Sequence, residues 1–253
     1  MGARGAVTLP PRLRVVGPGR AGRSLATALS APAGTSSASS GEGDDLAGAA
    51  AGTDLVAIAT PDAAIAEVAA AIAPQPTAVV AHLSGSLGLD VLAGHERVGA
   101  LHPLVSLPDA EQGAARLAGA WFAVAGDPSS SAAADLGGRW FELADHDRAA
   151  YHAAAAVASN HLVALMGQVA RIAEGIGVPG DAYLALAAGS LQNVAALGPA
   201  AALTGPVARG DWDTVRRHLA AIDPAERPAY LALAAEARRL VADDGLPPDL
   251  LAE

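Results

Sequence analysis

A glycine-rich turn between a short apolar run and an alanine-rich segment carries the clearest chemical signal in the sequence. Residues 14–22 read Arg-Val-Val-Gly-Pro-Gly-Arg-Ala-Gly, a GxGxxG pattern. Its first glycine permits a tight turn, the second lets backbone N–H groups approach a phosphate, and the third allows close helix–strand packing. A diphosphate then lies at the positive end of the following helix. The pattern predicts a dinucleotide site formed by Gly17, Pro18, Gly19, Arg20, Ala21 and Gly22.

Small and polar residues follow three later apolar runs. They are Thr60 and Pro61 after the first run, Ser84 and Gly85 after the second, and His102 after the third. Because ligands of parallel sheets lie beyond the carboxyl ends of the strands, we expect the first four to line the cofactor site. We expect Ser84 and His102 also to be catalytic. In the alternative interpretation these side chains only cap helices or bond backbone.

The residues that would select between NAD and NADP are not evident. An acid about 20 residues past the turn suits NAD, whereas hydroxyls or an arginine suit the 2′-phosphate of NADP. Arg20 could reach that phosphate. We therefore expect NADP and keep NAD as an alternative. The other side chains in range are Thr35, Ser36, Ser37, Ser39, Ser40, Glu42, Asp44 and Asp45.

The C-terminal half offers a second set of polar side chains. On a regular helix, His152, Ser159 and Asn160 share one side, whereas His161 lies opposite and cannot bind a metal together with His152. We expect His152 and Asn160 to be catalytic, and Ser159 and Asn160 to bind substrate. Arg209 suits a substrate carboxylate or phosphate. Alternatively, Asn160 bonds a neighbouring helix end and Arg209 forms an ion pair.

Composition excludes several classes of function. A formal charge of -10 argues against nucleic acid or an anionic membrane as partner, so a small molecule is expected. The chain has no cysteine and no lysine, which excludes thiolate and Schiff-base chemistry. Neither a metal site nor a hydrolase motif is predicted. Residues 1–12 lack the core of a signal peptide, and residues 153–172 are interrupted by polar side chains, so we expect a cytoplasmic protein with a buried helix there.

The order of apolar runs predicts two domains. Short runs separated by helices indicate an α/β fold, with a Rossmann-type, mostly parallel sheet over residues 1–145. Strand signals stop at Asp145, and residues 146–253 predict an all-α domain. Residues 31–43, where a second strand would lie, are predicted as a loop. The predicted strands centre on residues 14–16, 54–59, 77–82, 98–101 and 120–125, and the predicted C-terminal helices on 146–176, 180–196, 211–222 and 225–243.

The whole chain resembles bacterial Rossmann-like proteins with a C-terminal helical domain of unassigned function. These are related to ketopantoate reductase, pyrroline-5-carboxylate reductase and 6-phosphogluconate dehydrogenase. The resemblance implies an NADP-linked reductase fold that forms a homodimer through its helical domain. It is carried by GPGRAG at 17–22, ATPD at 59–62, HLSGS at 82–86, HPL at 102–104, YHAAAAVASNHL at 151–162 and GPAAALTGPVARGD at 198–211.

One residue departs from the pattern of the related dehydrogenases. They place a lysine one turn before an asparagine, and matching Asn160 to that asparagine puts Ala156 at the lysine position. The proton would then come from His152, Ser84, His102 or water. The expected reaction is hydride transfer from NADPH to a small carboxylate-bearing C=O or C=N substrate, a ketopantoate-type 2-oxo acid first and a cyclic imine second.

Two other classes stay open. The chain is alternatively a non-catalytic nucleotide-binding or scaffold protein on a reductase fold, which the missing lysine favours. A dimeric structural module that binds no nucleotide is the third possibility.

Overall fold

The computed structural model describes two compact units that divide between Ser159 and Asn160. A β-sheet with flanking helices forms the first unit, and the elements described in the second unit are helices. The described residues are 12–30, 36–40, 46–127, 129–242 and 244–251.

A single sheet organises the first unit. Within the described ranges it has seven strands in the order β2-β1-β3-β4-β5-β6-β7. All neighbouring strands are parallel except β5 and β6, so the predicted mostly parallel sheet is confirmed. The strands are β1 (Arg12–Val16), β2 (Ser36–Ser40), β3 (Leu55–Ile58), β4 (Val79–His82), β5 (Val98–Pro103), β6 (Trp121–Gly126) and β7 (Arg139–Glu142).

Two strands differ from the prediction. The loop expected over residues 31–43 is wrong for Ser36–Ser40, which pairs in parallel with β1. An edge strand is held by backbone hydrogen bonds along one side, so it forms without the β-branched apolar run that the prediction required. The strand β7 was not predicted, since Arg139–Glu142 lacks such a run too.

Apolar side chains cover both faces of the sheet. Along β3, Leu55 and Ala57 belong to one buried cluster, and Val56 and Ile58 belong to another. Successive strand residues point to opposite faces, so a strand covered on both sides is apolar throughout. The helices of this unit are α1 (Arg20–Ser30), α2 (Asp62–Ala71), α3 (Ala110–Leu117), α4 (Ser129–Asp135) and α5 (Arg148–Ala156).

The single helix predicted over 146–176 is interrupted. A π-helical turn, Val157–His161, separates α5 from the next helix, and the two units divide within this turn. The predicted domain boundary at residue 145 therefore precedes the observed division, because α5 belongs to the sheet unit. The helices of the second unit are α6 (Leu162–Gly175), α7 (Gly180–Leu197), α8 (Pro199–Ala202), α9 (Pro206–Arg209), α10 (Trp212–Ala221) and α11 (Arg227–Arg239).

Much of the apolar surface between α5 and the end of α6 is exposed. The expectation that residues 153–172 are buried is wrong for most of them: Val157 is 57% exposed and Val163 is 72% exposed. The stretch Asp145–Gly175 contains an 18-residue window with a mean hydropathy of 1.3, and it is long and apolar enough to cross a membrane by length and composition alone. One such helix is weak evidence for a membrane span, and this one carries the polar π-helical turn.

Candidate functional site

The glycine turn has the shape that a diphosphate requires. Gly17 adopts a φ of 121°, and a β-carbon there would lie 2.7 Å from the carbonyl carbon of Ala59. A β-carbon on Gly22 would collide with the carbonyl oxygen of Gly17. Around Gly19, in contrast, the nearest atom to such a carbon is 4.0 Å away. The turn is therefore closely packed on its inner side and open at Gly19.

The helix α1 begins directly at this opening. The carbonyl oxygen of Gly19 accepts the first helical hydrogen bond, from the N–H of Arg23 at 3.0 Å. The first N–H groups of a helix lack partners within the helix and favour an anion. Pro18, Gly19 and Arg20 are exposed, and Ala21 is half-buried. The turn thus provides donors at a solvent-accessible position.

Thr60 supplies a buried hydroxyl beside the turn. Its Oγ1 is buried and has no hydrogen-bond partner among the described residues. The neighbouring Pro61 is exposed and is the N-cap residue of α2. No side chain caps this helix, so Thr60 does not have the capping role considered above. A buried hydroxyl without a partner is costly, and a bound ligand would supply the missing acceptor or donor. Together with the cradle at Gly17 and Gly22, this hydroxyl fits a dinucleotide.

Ser84 is fully engaged in hydrogen bonds. Its hydroxyl donates to Oδ2 of Asp62 at 2.9 Å and accepts from the N–H groups of Ser86 and Leu87, both at 3.1 Å. The Ser86 hydroxyl donates to the same carboxylate oxygen at 2.6 Å. These bonds fix the loop after β4 to the start of α2. The proton of Ser84 is therefore committed to Asp62, which makes Ser84 a positioning group in this geometry.

The tautomer of His82 follows from its two partners. Nδ1 lies 3.2 Å from the N–H of Ser84, which can only donate, so Nδ1 accepts and Nε2 carries the proton. Nε2 then donates to the carbonyl oxygen of Gly88 at 3.2 Å. Burial lowers the pKa of His82, and the Gly88 bond partly opposes that shift. His82, which ends β4 and belongs to the HLSGS motif, was not predicted as a site residue.

His102 and Tyr151 form a second polar pair. The Tyr151 hydroxyl is 2.6 Å from Nδ1 of His102, and the ring of His152 lies 6.2 Å from the ring of His102 between centroids. Burial and the charge of His152 lower the pKa of His102 to about 4. Burial raises the pKa of Tyr151 to about 12. Near neutral pH, His102 is thus a neutral imidazole and Tyr151 keeps its proton.

The His102 ring also contacts the backbone of the loop that carries Ser84. A β-carbon on Gly85 would lie 2.9 Å from Nε2 of His102, so only glycine allows the ring this close. Two of the residues selected from the sequence, His102 and Gly85, are therefore brought together with Tyr151, which was not selected. The pair was not predictable from spacing, because its members are 49 residues apart.

Arg148 is a buried cation in the same unit. Its side chain is 1% exposed, and its Nε donates to Oδ1 of Asp145 at 2.8 Å. The other oxygen of Asp145 accepts from the N–H of Leu89 at 3.2 Å, and these bonds lower the pKa of Asp145. Among the described residues, Nη1 and Nη2 of Arg148 have no hydrogen-bond partner. An arginine in the first turn of a helix gives no sequence signal for such burial.

The remaining predicted residues are exposed. Ser159 donates its hydroxyl to the carbonyl oxygen of Ala155 at 2.9 Å. Asn160 lies in the π-helical turn, which does not keep the regular helical spacing assumed for His152, Ser159 and Asn160. Arg209 ends α9 and, like Asn160, belongs to the second unit. In the ranges that the structure describes, no three His, Asp or Glu side chains form a group that could hold a metal ion.

Part of the chain matches a known family model. Residues 123–237 match a family described as a domain of unknown function (DUF2520). No match is found among the curated proteins.

Several solved structures are similar over nearly the whole chain. One is BF3122 from Bacteroides fragilis, provisionally named an NADP oxidoreductase. Its TM-score is 0.72 at 21% sequence identity, and the match covers 90% of this chain and 98% of the BF3122 chain. A reductive aminase from Aspergillus terreus, in complex with NADPH4, cyclohexanone and allyl amine, has a TM-score of 0.63 at 17% identity over 97% and 99%. Pyrroline carboxylate reductase from Plasmodium falciparum, with NADP bound, has a TM-score of 0.59 at 12% identity over 91% and 98%. These similarities show a Rossmann-type α/β fold with a helical C-terminal region.

Proposed function

We propose that this chain is an NADP-linked reductase that acts on a small carboxylate-bearing C=O or C=N substrate. The observation that carries the proposal is the glycine turn, with its tight inner packing at Gly17 and Gly22 and its opening at Gly19. Two proteins of the same fold have names that refer to NADP or NADPH and to imine or amine chemistry. This supports a C=N substrate beside the ketopantoate-type 2-oxo acid expected from the sequence.

In this proposal the first helical turn and Thr60 bind the cofactor. Backbone N–H groups at Gly19–Gly22 hold the diphosphate, and the unpartnered hydroxyl of Thr60 gains a hydrogen bond. When bound, the reduced nicotinamide would supply the hydride, and Ser84 and Gly85 are the residues that would hold its ring. The Ser84–Asp62 bond holds this loop in place.

His102 provides the proton in this proposal. With the Tyr151 hydroxyl donating to Nδ1, the imidazole carries its proton on Nε2, the nitrogen beside Gly85. As the substrate oxygen or nitrogen gains negative charge, Nε2–H transfers its proton to it and Nδ1 takes the Tyr151 proton. The phenolate left on Tyr151 regains a proton from water. Because the pKa of the Tyr151 hydroxyl is about 12, its phenolate is a weaker base than an alkoxide. Proton transfer from Tyr151 through His102 to an alkoxide product is therefore favourable.

We further propose that the working form is a homodimer formed through the helical unit. Among its described residues, α7 has no buried position, and its side chains Leu184, Leu186, Leu191, Val194 and Leu197 are at least 40% exposed. A helix that is apolar on all sides is normally buried. Packing against the same helix of a second copy would cover this surface, in agreement with the dimer that the family resemblance implies.

Turnover tests the reductase directly. The full chain is incubated with NADPH and a panel of 2-oxo acids and cyclic imines, and oxidation of NADPH is followed by absorbance. We expect turnover on at least one class. Tight NADPH binding without turnover on either class would favour a non-catalytic nucleotide-binding protein, and no binding at all would favour a structural module.

A further inference from the structure

Arg148 has hydrogen-bonding capacity that the protein itself does not use. A guanidinium group carries five N–H donors, and in Arg148 Nε–H is the one with a partner among the described residues, Asp145. The four donors on Nη1 and Nη2 are buried and have no partner in the described part of the chain. Buried charged donors are strongly destabilised unless an acceptor reaches them. An acceptor from outside the chain is therefore expected at this position.

The position of Arg148 relates it to the proposed site. Asp145, which holds its Nε, also accepts the N–H of Leu89, at the end of the loop that begins with His82 and Ser84. One turn later on α5, Tyr151 bonds His102. The positive charge of Arg148 contributes to the lowered pKa values of His82 and His102, so the guanidinium is within electrostatic range of both.

We propose that Arg148 binds the carboxylate of the substrate. The two Nη groups form the planar edge that pairs with both oxygens of a carboxylate, an arrangement that lysine cannot reproduce. This inference rests on the proposed reductase function only for the identity of the ligand as a substrate. It assigns carboxylate binding to Arg148, which lies in the same unit as His102, instead of Arg209, which was expected from the sequence.

A carboxylate can reach the guanidinium only if the Arg148 side chain moves. The Nη atoms are covered in the described structure, but the Asp145 side chain that pairs with Arg148 is 51% exposed. The proposal therefore requires a rotation of the Arg148 side chain that exposes Nη1 and Nη2 while Nε stays paired with Asp145. Asp145 neutralises the cation until a substrate carboxylate arrives.

Binding of oxamate tests the inference without requiring turnover. Oxamate is an unreactive small carboxylate, and oxamide is its neutral counterpart. Both are titrated calorimetrically into the full chain with and without saturating NADP⁺, for wild type, Arg148→Met and Arg148→Lys. We expect oxamate, but not oxamide, to bind wild type. The affinity for oxamate should fall roughly tenfold or more in Arg148→Met and by a smaller factor in Arg148→Lys.

The control is Arg97→Met, which removes an exposed arginine paired with Asp127 in the same unit. It should leave oxamate affinity unchanged. Equal oxamate affinity in wild type and Arg148→Met, or no binding of oxamate to wild type, would overturn the inference. Loss in Arg209→Met with Arg148→Met unaffected would also overturn it. Binding of NADP⁺, measured on the same samples, shows separately whether the proposed reductase function fails.

Thermal unfolding separates a binding role from a structural one. Replacing a buried ion by an apolar side chain of similar volume is often neutral or stabilising, so we expect Arg148→Met to fold and to melt no lower than wild type. Oxamate should raise the melting temperature of wild type and not that of Arg148→Met. An equal rise in both proteins would contradict the inference.

Discussion

The Tyr151 hydroxyl lies 2.6 Å from Nδ1 of His102 and joins the first turns of α5 to the end of β5. The bond orients the imidazole so that Nε2 lies beside the backbone of Gly85, in the loop after β4. When the Tyr151 hydroxyl donates in this bond, the His102 imidazole carries its proton on Nε2.

Removing the Tyr151 hydroxyl should slow the chemical step. In Tyr151→Phe we expect kcat to fall roughly 10- to 100-fold, because Nδ1 of His102 loses its proton source. The dissociation constant of NADPH, measured by fluorescence, should not change. Tyr230→Phe is the matched control, since Tyr230 also bonds a histidine Nδ1, that of His218 at 2.8 Å, in the helical unit. An equal loss of kcat in both variants would contradict a specific role for Tyr151.

The lowered pKa of His102 predicts a loss of stability in acid. In the folded protein this pKa is about 4, against 6.5 for the free side chain, so the unfolded state binds the proton first as pH falls. The contribution is complete above about pH 6.5 and is lost as pH falls toward 4. Between about pH 7.5 and pH 5, wild type should lose about 2 kcal/mol more than His102→Asn in the free energy of unfolding by urea. Identical pH dependence of the two proteins would contradict the assigned environment.

A methyl group at Gly19 should interfere with the cofactor and leave the fold intact. A β-carbon there has 4.0 Å of clearance, so we expect Gly19→Ala to unfold at the same temperature as wild type. NADPH affinity should fall at least roughly tenfold, because the methyl group occupies the space where the diphosphate approaches the backbone. Gly180→Ala, at the open start of α7, is the control and should bind NADPH normally. Unchanged affinity in Gly19→Ala would place the diphosphate elsewhere.

The unpartnered hydroxyl of Thr60 predicts opposite effects on stability and binding. Thr60→Val removes a buried group that has no partner among the residues the structure describes, so the free energy of unfolding should stay equal or rise by up to about 1 kcal/mol. NADP⁺ affinity should fall roughly tenfold. Thr53→Val is the control, because the Thr53 hydroxyl donates a hydrogen bond to the carbonyl oxygen of Ala49. This variant should lose folding stability and keep its NADP⁺ affinity. Lower stability with unchanged affinity in Thr60→Val would be the contrary result.

The exposed surface of α7 predicts an assembly that one charge can break. Wild type should have the mass of a dimer by light scattering after size exclusion, and Leu186→Glu should be a monomer, because a carboxylate in an apolar interface is costly to desolvate. Leu251→Glu is the control. Leu251 is 65% exposed, nearly the same as Leu186 at 66%, but it lies outside α7. A monomeric wild type would contradict the proposal.

The order of elements was predictable because each depends on a local signal. The turn at Gly17–Gly22, the strand that precedes it and the helix that follows were placed from glycine spacing and an apolar run. The strands β2 and β7 were missed, since both form through backbone pairing with a neighbour rather than through an apolar pattern of their own.

The polar site was only partly predictable. His102 and Ser84 were selected because polar residues at strand ends meet at one edge of a parallel sheet. Their partners Tyr151 and Asp62 lie 49 and 22 residues away, respectively, and only the folded chain brings them within hydrogen-bond distance. The burial of Arg148 has the same origin, because no spacing rule identifies which arginine of a helix turns inward.

Titration of the full chain with NADP⁺ and NADPH, with NAD⁺ as the comparison, measures the proposed dinucleotide site itself. We expect saturable binding of one NADP(H) per chain, weakened by Gly19→Ala and by Thr60→Val. A flat calorimetric and fluorescence titration with all three nucleotides would contradict the dinucleotide site and the reductase proposed on it.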